Sequence, residues 1–274
     1  MFYSIVIKLK PAENFFVPIY TGHFTYAFFL SIVNKANPNL AKKLYNPNEI
    51  KPFTLSGLIG KFIKKERSLY ASKENEYYIR ITILDSSLFS SIISILLDNN
   101  FKEINIGKNK FIIKKVIINH QENQLTSFET IDGLWSSSST DDDRIILKFM
   151  SPTFFKLGGD NYLFPEPNKV FGSIERKFLV FAHGFIGKEI EKEENIFNKI
   201  KVSRINNLST NIVQLKNGKQ IGFKGEIYYD LKIKDKPIIK YINVLANFAK
   251  YSGVGAKTTL GFGQTIKGNL TNEN

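Results

Sequence analysis

The stretch Tyr251-Ser-Gly-Val-Gly-Ala-Lys-Thr-Thr-Leu-Gly-Phe-Gly-Gln-Thr265 decides how the chain is read. Four glycines, Gly253, Gly255, Gly261 and Gly263, fall in eleven residues around a single cation, Lys257. Just upstream, Tyr241, Val244, Leu245 and Phe248 recur at i, i+3, i+4 and i+7, so a helix leads into the loop. Glycine reaches positive φ and lets another backbone approach closely. Successive exposed N–H groups beside a lysine make a concavity suited to anions. The same residues also suit a plain helix cap and a glycine-rich turn into an edge strand. A P-loop is excluded, because G-x-x-x-x-G-K-[ST] precedes a helix and this loop follows one.

The whole chain narrows the choices. At 274 residues it has room for one large domain or two small ones, and 43% hydrophobic residues are ample for a core. Lys and Arg number 38 against 25 Asp and Glu, a net charge of +13. Such an excess points to polyanions, nucleic acid or an acidic membrane surface, although a lysine-rich coding bias produces it too. There is no cysteine, which excludes disulfides, zinc-thiolate sites and cysteine nucleophiles. The start, Met1-Phe-Tyr-Ser-Ile-Val-Ile-Lys-Leu-Lys10, has no basic leader or cleavage site and reads as a strand. No run approaches the roughly 18 apolar residues of a membrane span, so a soluble, cytoplasmic protein is expected.

Periodicity then places the elements. Tyr3, Ile5, Ile7 and Leu9 share one strand face, and Phe24, Ala27, Phe28, Ser31 and Ile32 one helix face, with Thr21 placed to cap it. Asn37-Pro38 stops that helix, and a short one follows from Asn39 to Leu44. Residues 51–70 look irregular and carry Lys61, Lys64, Lys65 and Arg67. Tyr77, Ile79, Ile81 and Ile83 alternate with Tyr78, Arg80, Thr82 and Leu84, the clearest strand. A helix through Leu88, Ile92, Ile95 and Leu96 and two strands over 101–118 complete a β-α-β-α-β order. With an extra strand in the irregular region, that order suits a ferredoxin-like module over 1–122. Residues 123–143, with Ser136–Ser139 and Asp141–Asp143, read as a linker.

A second module is expected over 144–274. It holds a strand from Ile145 to Met150, a helix from Ser173 to Phe185 and a charged patch from Glu189 to Glu194. A hairpin turns at Asn217-Gly218, and a strand over 225–233 precedes the last helix, the loop and a final strand from Phe262 to Ile266. The fold class is therefore α+β, two tandem ferredoxin-like β-α-β-β-α-β modules closed by a glycine-rich loop.

The loop's G-x-G-x-K-[ST]-x-x-G-[FY]-G pattern resembles the C-terminal glycine-rich loop of the RAMP (repeat-associated mysterious protein) superfamily of CRISPR systems. Leu40-Ala-Lys-Lys-Leu-Tyr45 with Lys51-Pro-Phe-Thr-Leu-Ser56 agree with it, as do Ser151-Pro-Thr-Phe-Phe155 with Phe164-Pro-Glu-Pro167, and Phe223-Lys-Gly-Glu-Ile-Tyr228. These stretches are most similar to the endoribonuclease that cuts CRISPR precursor RNA within its repeats. The resemblance implies metal-independent cleavage: the ribose 2′-OH attacks the adjacent phosphate, leaving a 2′,3′-cyclic phosphate and a 5′-OH. It implies no cofactor or metal. Repeat RNA is the partner, effector-complex subunits are further ones, and the state is a monomer or homodimer.

Such chemistry needs a base, charge relief on the phosphorane and a proton for the leaving oxygen. The chain has three histidines, His23, His120 and His183. His120 falls in the linker-like stretch and His183 suits a helix C-terminus, whereas His23 opens the first helix. Many members of the family close a Leu-His pair ahead of the Lys-x-Phe-Thr-x-Ser stretch, but here the pair is Leu44-Tyr45. Tyrosine, with a reference pKa of about 10, is a poor base at neutral pH. Either His23 takes over proton transfer, or the protein binds repeat RNA and cuts it slowly or not at all, as a non-catalytic RAMP protein holding repeat or guide RNA in an effector complex would. Lys51 matches the family's lysine. Tyr45 and Tyr26 would orient phosphate or 2′-OH, or else serve as packed, hydrogen-bonded tyrosines. For RNA binding, the amides of Gly253, Gly255, Gly261 and Gly263, with Lys257 and the Thr258 hydroxyl, would hold phosphates. A basic hairpin of Lys201, Arg204, Lys216 and Lys219, and Arg80, would line the rest of the RNA path.

Overall fold

A computed structural model describes residues 1–46, 49–66, 68–98, 102–182, 196–215 and 218–268. His183, Lys216, Arg67 and the Glu189–Glu194 patch lie outside the described residues. The chain divides into two compact units, one of Met1–Phe128 with Thr259–Gly261, the other of Glu129–Thr258 with the residues from Phe262 on.

The alternation at the start of the chain becomes β1 (Phe2–Pro11), followed by β2 (Phe15–Pro18), α1 (Gly22–Ala36) and α2 (Pro38–Leu44). Where the sequence suggests one extra strand in an irregular stretch over 51–70, four short strands run, β3 (Phe53–Leu55), β4 (Ile59–Gly60), β5 (Ile63–Lys65) and β6 (Ser68–Ala71). Next come β7 (Tyr77–Ile83), α3 (Ser86–Leu97), β8 (Glu103–Ile106), β9 (Asn109–Ile117) and β10 (Ser127–Glu129). The main sheet has the order β3-β7-β1-β9-β8, all neighbours antiparallel. Taking β1, α1, β3, β7, α3 and β9 in turn gives the ferredoxin-like arrangement. Ile5 pairs with Ile81 and Ile7 with Ile79, and this row packs with Phe28, Phe29 and Ile32 of α1 and Leu88 and Ile92 of α3.

The other face of this sheet is buried around Arg80. Ser4, Thr54 and Thr82 are at most 2% exposed, and Arg80 is 1% exposed. Arg80 Nε donates to Ser4 Oγ at 2.9 Å, and that hydroxyl donates to the Leu125 carbonyl at 2.6 Å. The expectation that Arg80 faces an RNA path is therefore corrected: its guanidinium is a structural group inside the fold.

The second unit starts earlier than the composition suggests. Residues 123–143 are not a linker, for they contain β10 and the helix α4 (Ile131–Ser137). Thr130 Oγ1 caps α4 by accepting from the Gly133 amide at 2.9 Å, Leu134 is buried, and Asn247 Nδ2 donates to Ser138 Oγ. Then follow β11 (Arg144–Thr153), β12 (Phe155–Leu157), β13 (Asp160–Tyr162) and α5 (Pro167–Phe181). After these come β14 (Ile200–Leu215), β15 (Gly218–Leu231), α6 (Lys236–Ser252) and β16 (Thr265–Lys267). The sheet order β14-β15-β11-β16 repeats the strand arrangement of the first unit. α5 begins at Pro167, six residues before the expected start, because proline at the first helical position costs no hydrogen bond. Phe178 of α5 packs edge-on against Phe248 and Tyr241 of α6 at 5.1 and 6.3 Å.

Candidate active site

The first turn of α1 is anchored from two directions. Thr21 precedes it, but its hydroxyl caps no α1 amide. Instead Oγ1 accepts from the Leu58 amide at 2.6 Å. Thr25 Oγ1 donates to the Ser56 carbonyl at 2.8 Å. The Lys51–Ser56 stretch thus enters β3 beside β7 and leaves it tied to α1. Residues 259–261 close on the same turn. A Cβ on Gly22 would collide with the Leu260 carbonyl oxygen, and one on Gly261 would sit 2.9 Å from the Gly57 nitrogen. The Tyr20 phenol lies against both glycines, and burial pushes its pKa well up, so it stays protonated.

His23 is exposed at this turn, its ring 3.7 Å from that of Phe24. Phe24 in turn rests on Gly107, where φ is +66° and a Cβ would stand 3.1 Å from the ring. Partial burial lowers the His23 pKa, and the positive end of the helix disfavours the imidazolium further. A neutral imidazole facing solvent at the first turn of a fixed helix can accept a proton. Beside Phe24 lies a hollow of about 540 Å³ lined also by Ala27, Phe28, Glu103, Asn105 and Lys110.

Tyr26 is one turn along, on the same side of α1 as His23. Its ring stacks on Phe53 at 6.2 Å, and its pKa is raised by burial and then by the nearby Tyr45 phenol. Tyr45 ends α2 and is 63% exposed. Lys51 Nζ donates to the Asn46 carbonyl, and burial lowers its pKa. So Tyr26, on the His23 side of α1, reaches the Tyr45 phenol at the end of α2, and Lys51 is tied to the Asn46 carbonyl next to Tyr45. His120 is exposed in the first unit, its Nδ1 2.7 Å from the Thr126 carbonyl. Among the described residues no group of His, Asp and Glu gathers as metal ligands would.

The glycine loop differs from the phosphate cradle expected of it. All four glycines have positive φ, from 59° to 88°. Their purpose is close packing: a Cβ on Gly255 would strike the Phe154 carbonyl, and one on Gly263 the Val254 carbonyl. The Gly253, Val254 and Ala256 amides donate to the Ala249, Gly263 and Phe154 carbonyls, each at 2.9 Å. The Gly255 amide donates to Ser173 Oγ at 2.8 Å and the Gly263 amide to the Pro152 carbonyl at 3.0 Å. Those amides are used inside the second unit, which corrects their assignment to phosphate. Thr258 is corrected too, since it is buried and its hydroxyl accepts from Lys177 Nζ at 3.1 Å. Lys257 remains exposed, held at φ 56°.

Lys177 escaped the sequence reading. It is 6% exposed, and its Nζ also donates to the Ser252 carbonyl at 2.6 Å, so one ammonium ties α5 to both ends of the loop's first half. Its place between Ile174 and Phe178 on the apolar face of α5 was the available signal. On the hairpin, Lys201, Arg204 and Lys219 are exposed, with Arg204 over the Tyr228 ring at 5.3 Å. Val202, Ile205, Leu208 and Ile212 are 39–65% exposed among them.

Two tandem ferredoxin-like units closed by a glycine-rich loop are the architecture of RAMP proteins, and solved structures share it. A Cas6 (TTHB231) product complex matches with TM-score 0.82 at 24% identity over 97% of this chain and all of that one. Thermus thermophilus Cas6 (TTHB231) matches with TM-score 0.73 at 22% identity over 97% of this chain and 98% of that one. The product of a Cas6-related gene from Pyrococcus furiosus matches with TM-score 0.64 at 17% identity, over 98% and 100%. The CRISPR-associated endoribonuclease Cas6 of Streptococcus thermophilus is 29% identical over 119 residues, 42% of this chain and a little under half, 46%, of that protein. The chain belongs to the Cas6 family: the model of the CRISPR Cas6 N-terminal domain matches residues 1–132, and that of the CRISPR-associated endoribonuclease Cas6 matches 147–265.

Proposed function

We propose that this protein binds CRISPR repeat RNA and cuts the precursor within its repeats without a metal ion, using His23 as the general base. The observation that carries this reading is the anchoring of one exposed histidine. His23 stands on a turn fixed from one side by Ser56–Leu58 and from another by Leu260. In the proposed reaction the neutral imidazole takes the 2′-OH proton. The 2′-oxygen forms a bond to phosphorus, the P–O5′ bond breaks, and the leaving 5′-oxygen takes a proton. Tyr26 stays protonated at neutral pH because burial raises its pKa, so it suits donation to a phosphate oxygen or the leaving group. Lys51 supplies positive charge to the phosphorane once RNA draws it from the Asn46 carbonyl. Lys257, Lys201, Arg204 and Lys219 supply phosphate contacts.

Tyr45 favours one other reading. A tyrosine stands where relatives of this type commonly carry the histidine, and a chain without that base would hold repeat RNA uncut. The test is cleavage of the repeat RNA in EDTA by wild type and His23→Ala. The proposal expects cleavage by wild type and a loss of 100-fold or more in the variant, the range of general-base catalysis. Undiminished cleavage by the variant refutes His23, and tight binding without cleavage by wild type selects the other reading.

A further inference from the structure

The small sheet β2-β6-β5 presents a face that the proposed chemistry does not use. Its inner side is part of the core, where Phe15, Val17 and Ala71 are at most 9% exposed. Strand alternation turns the intervening residues outward. Register aligns Phe16, Tyr70 and Ile63 in one row across the three strands, and Pro18, Ser68 and Lys65 in the next. Phe16 is 56% and Ile63 58% exposed, and the Phe16 and Tyr70 rings lie 5.4 Å apart at 59°. Lys61 and Lys65 are exposed on or beside this face. β2 continues through Ile19, 51% exposed, directly into the turn that carries His23.

We infer that this face is a stacking platform for unpaired nucleotides of an RNA strand, with bases on Phe16 and Tyr70 and phosphates at Lys61 and Lys65. The inference rests on the proposed function for RNA as ligand and extends it to a second contact region on the strand. Charge decides for RNA over a protein partner. Exposed aromatics interleaved with cations are what single strands bind, because every base offers a π-face and every linkage a negative charge. The centre of a protein–protein patch is depleted in lysine.

The test measures affinity for a labelled twelve-nucleotide oligoadenylate by fluorescence anisotropy, using wild type, Phe16→Leu/Tyr70→Leu and Lys61→Gln/Lys65→Gln. Leucine keeps an apolar side chain and removes the ring. The glutamines change only exposed ends, so that variant tests the platform even if the first unfolds. Stacking of a base on an aromatic side chain predicts roughly tenfold weaker binding for the leucine variant. The glutamine variant should bind more weakly and with a shallower salt dependence. Unchanged affinity in a folded leucine variant, or an unchanged salt slope in the glutamine variant, overturns the inference. Unchanged RNA affinity with loss of self-association in light scattering overturns it in favour of a second copy. Repeat cleavage by wild type is scored separately: its absence sinks the proposed reaction, while the oligoadenylate result still judges the platform.

Discussion

Lys177 offers a perturbation whose size follows from its surroundings. Its ammonium is buried beneath the glycine loop, where burial first and the Arg176 charge second pull its pKa from 10.5 down to about 7. Between those values the unfolded chain holds a proton that the folded protein has released. Stability must then rise with pH across that window, being fully present above about 10.5 and lost as pH falls through about 7. With those two values the linkage relation gives a burden of about 4 kcal/mol at pH 7 and about 2 kcal/mol at pH 9, so alkalinisation contributes about 2 kcal/mol. Lys177→Met keeps the length of the side chain and removes the titration. The assay is urea unfolding of both proteins at pH 7 and pH 9, followed by far-ultraviolet circular dichroism. Wild type should gain about 2 kcal/mol more than the variant between the two pH values. An equal response in both proteins would refute the burial of a titrating ammonium under the loop.

The other predictions concern the turn and the hairpin. Gly22→Ala places a methyl group against the Leu260 carbonyl oxygen, so α1 or residues 259–261 must move. The cost is roughly 1–3 kcal/mol of stability, and single-turnover cleavage should fall by roughly 10- to 100-fold, since small displacements at a reacting centre are expensive. A normal rate would mean that packing against Leu260 does not set the site. The triple change Lys201→Gln, Arg204→Gln and Lys219→Gln should flatten the dependence of log K for repeat RNA on log salt by about 0.7–0.9 for each phosphate that the variant no longer neutralises. An unchanged slope would remove the hairpin from the RNA path.

Much of the fold was legible because its elements announce themselves locally. Alternation over Tyr3–Leu9 and Tyr77–Ile83, and the helical stripe ending at Phe248, gave both modules. The failures have a common physical origin in interactions between residues distant along the chain. Arg80 reads as the polar face of a strand only if that face meets water, and here the face is buried where Arg80 stands. The serines and aspartates of 136–143 read as a linker because α4 is only seven residues long, too short to show periodicity around its buried Leu134. The loop glycines were visible, but whether their amides were free was not. That depends on the Pro152 carbonyl and the Ser173 hydroxyl, far upstream in the chain. His23 could be singled out by elimination among three histidines. The close approach of Gly22 to Leu260 that fixes its turn has no local signature.

The most direct test of the central claim replaces one atom of the substrate. Repeat RNA carrying a single 2′-deoxy nucleotide at the cut position is incubated with wild type in EDTA beside the all-ribose strand, and the product ends are identified. Cleavage of the ribose strand alone, leaving 2′,3′-cyclic phosphate and 5′-OH ends, is what the account predicts. Cleavage of the deoxy strand, or ends bearing a 5′-phosphate, would contradict attack by the 2′-OH and with it the role given to His23.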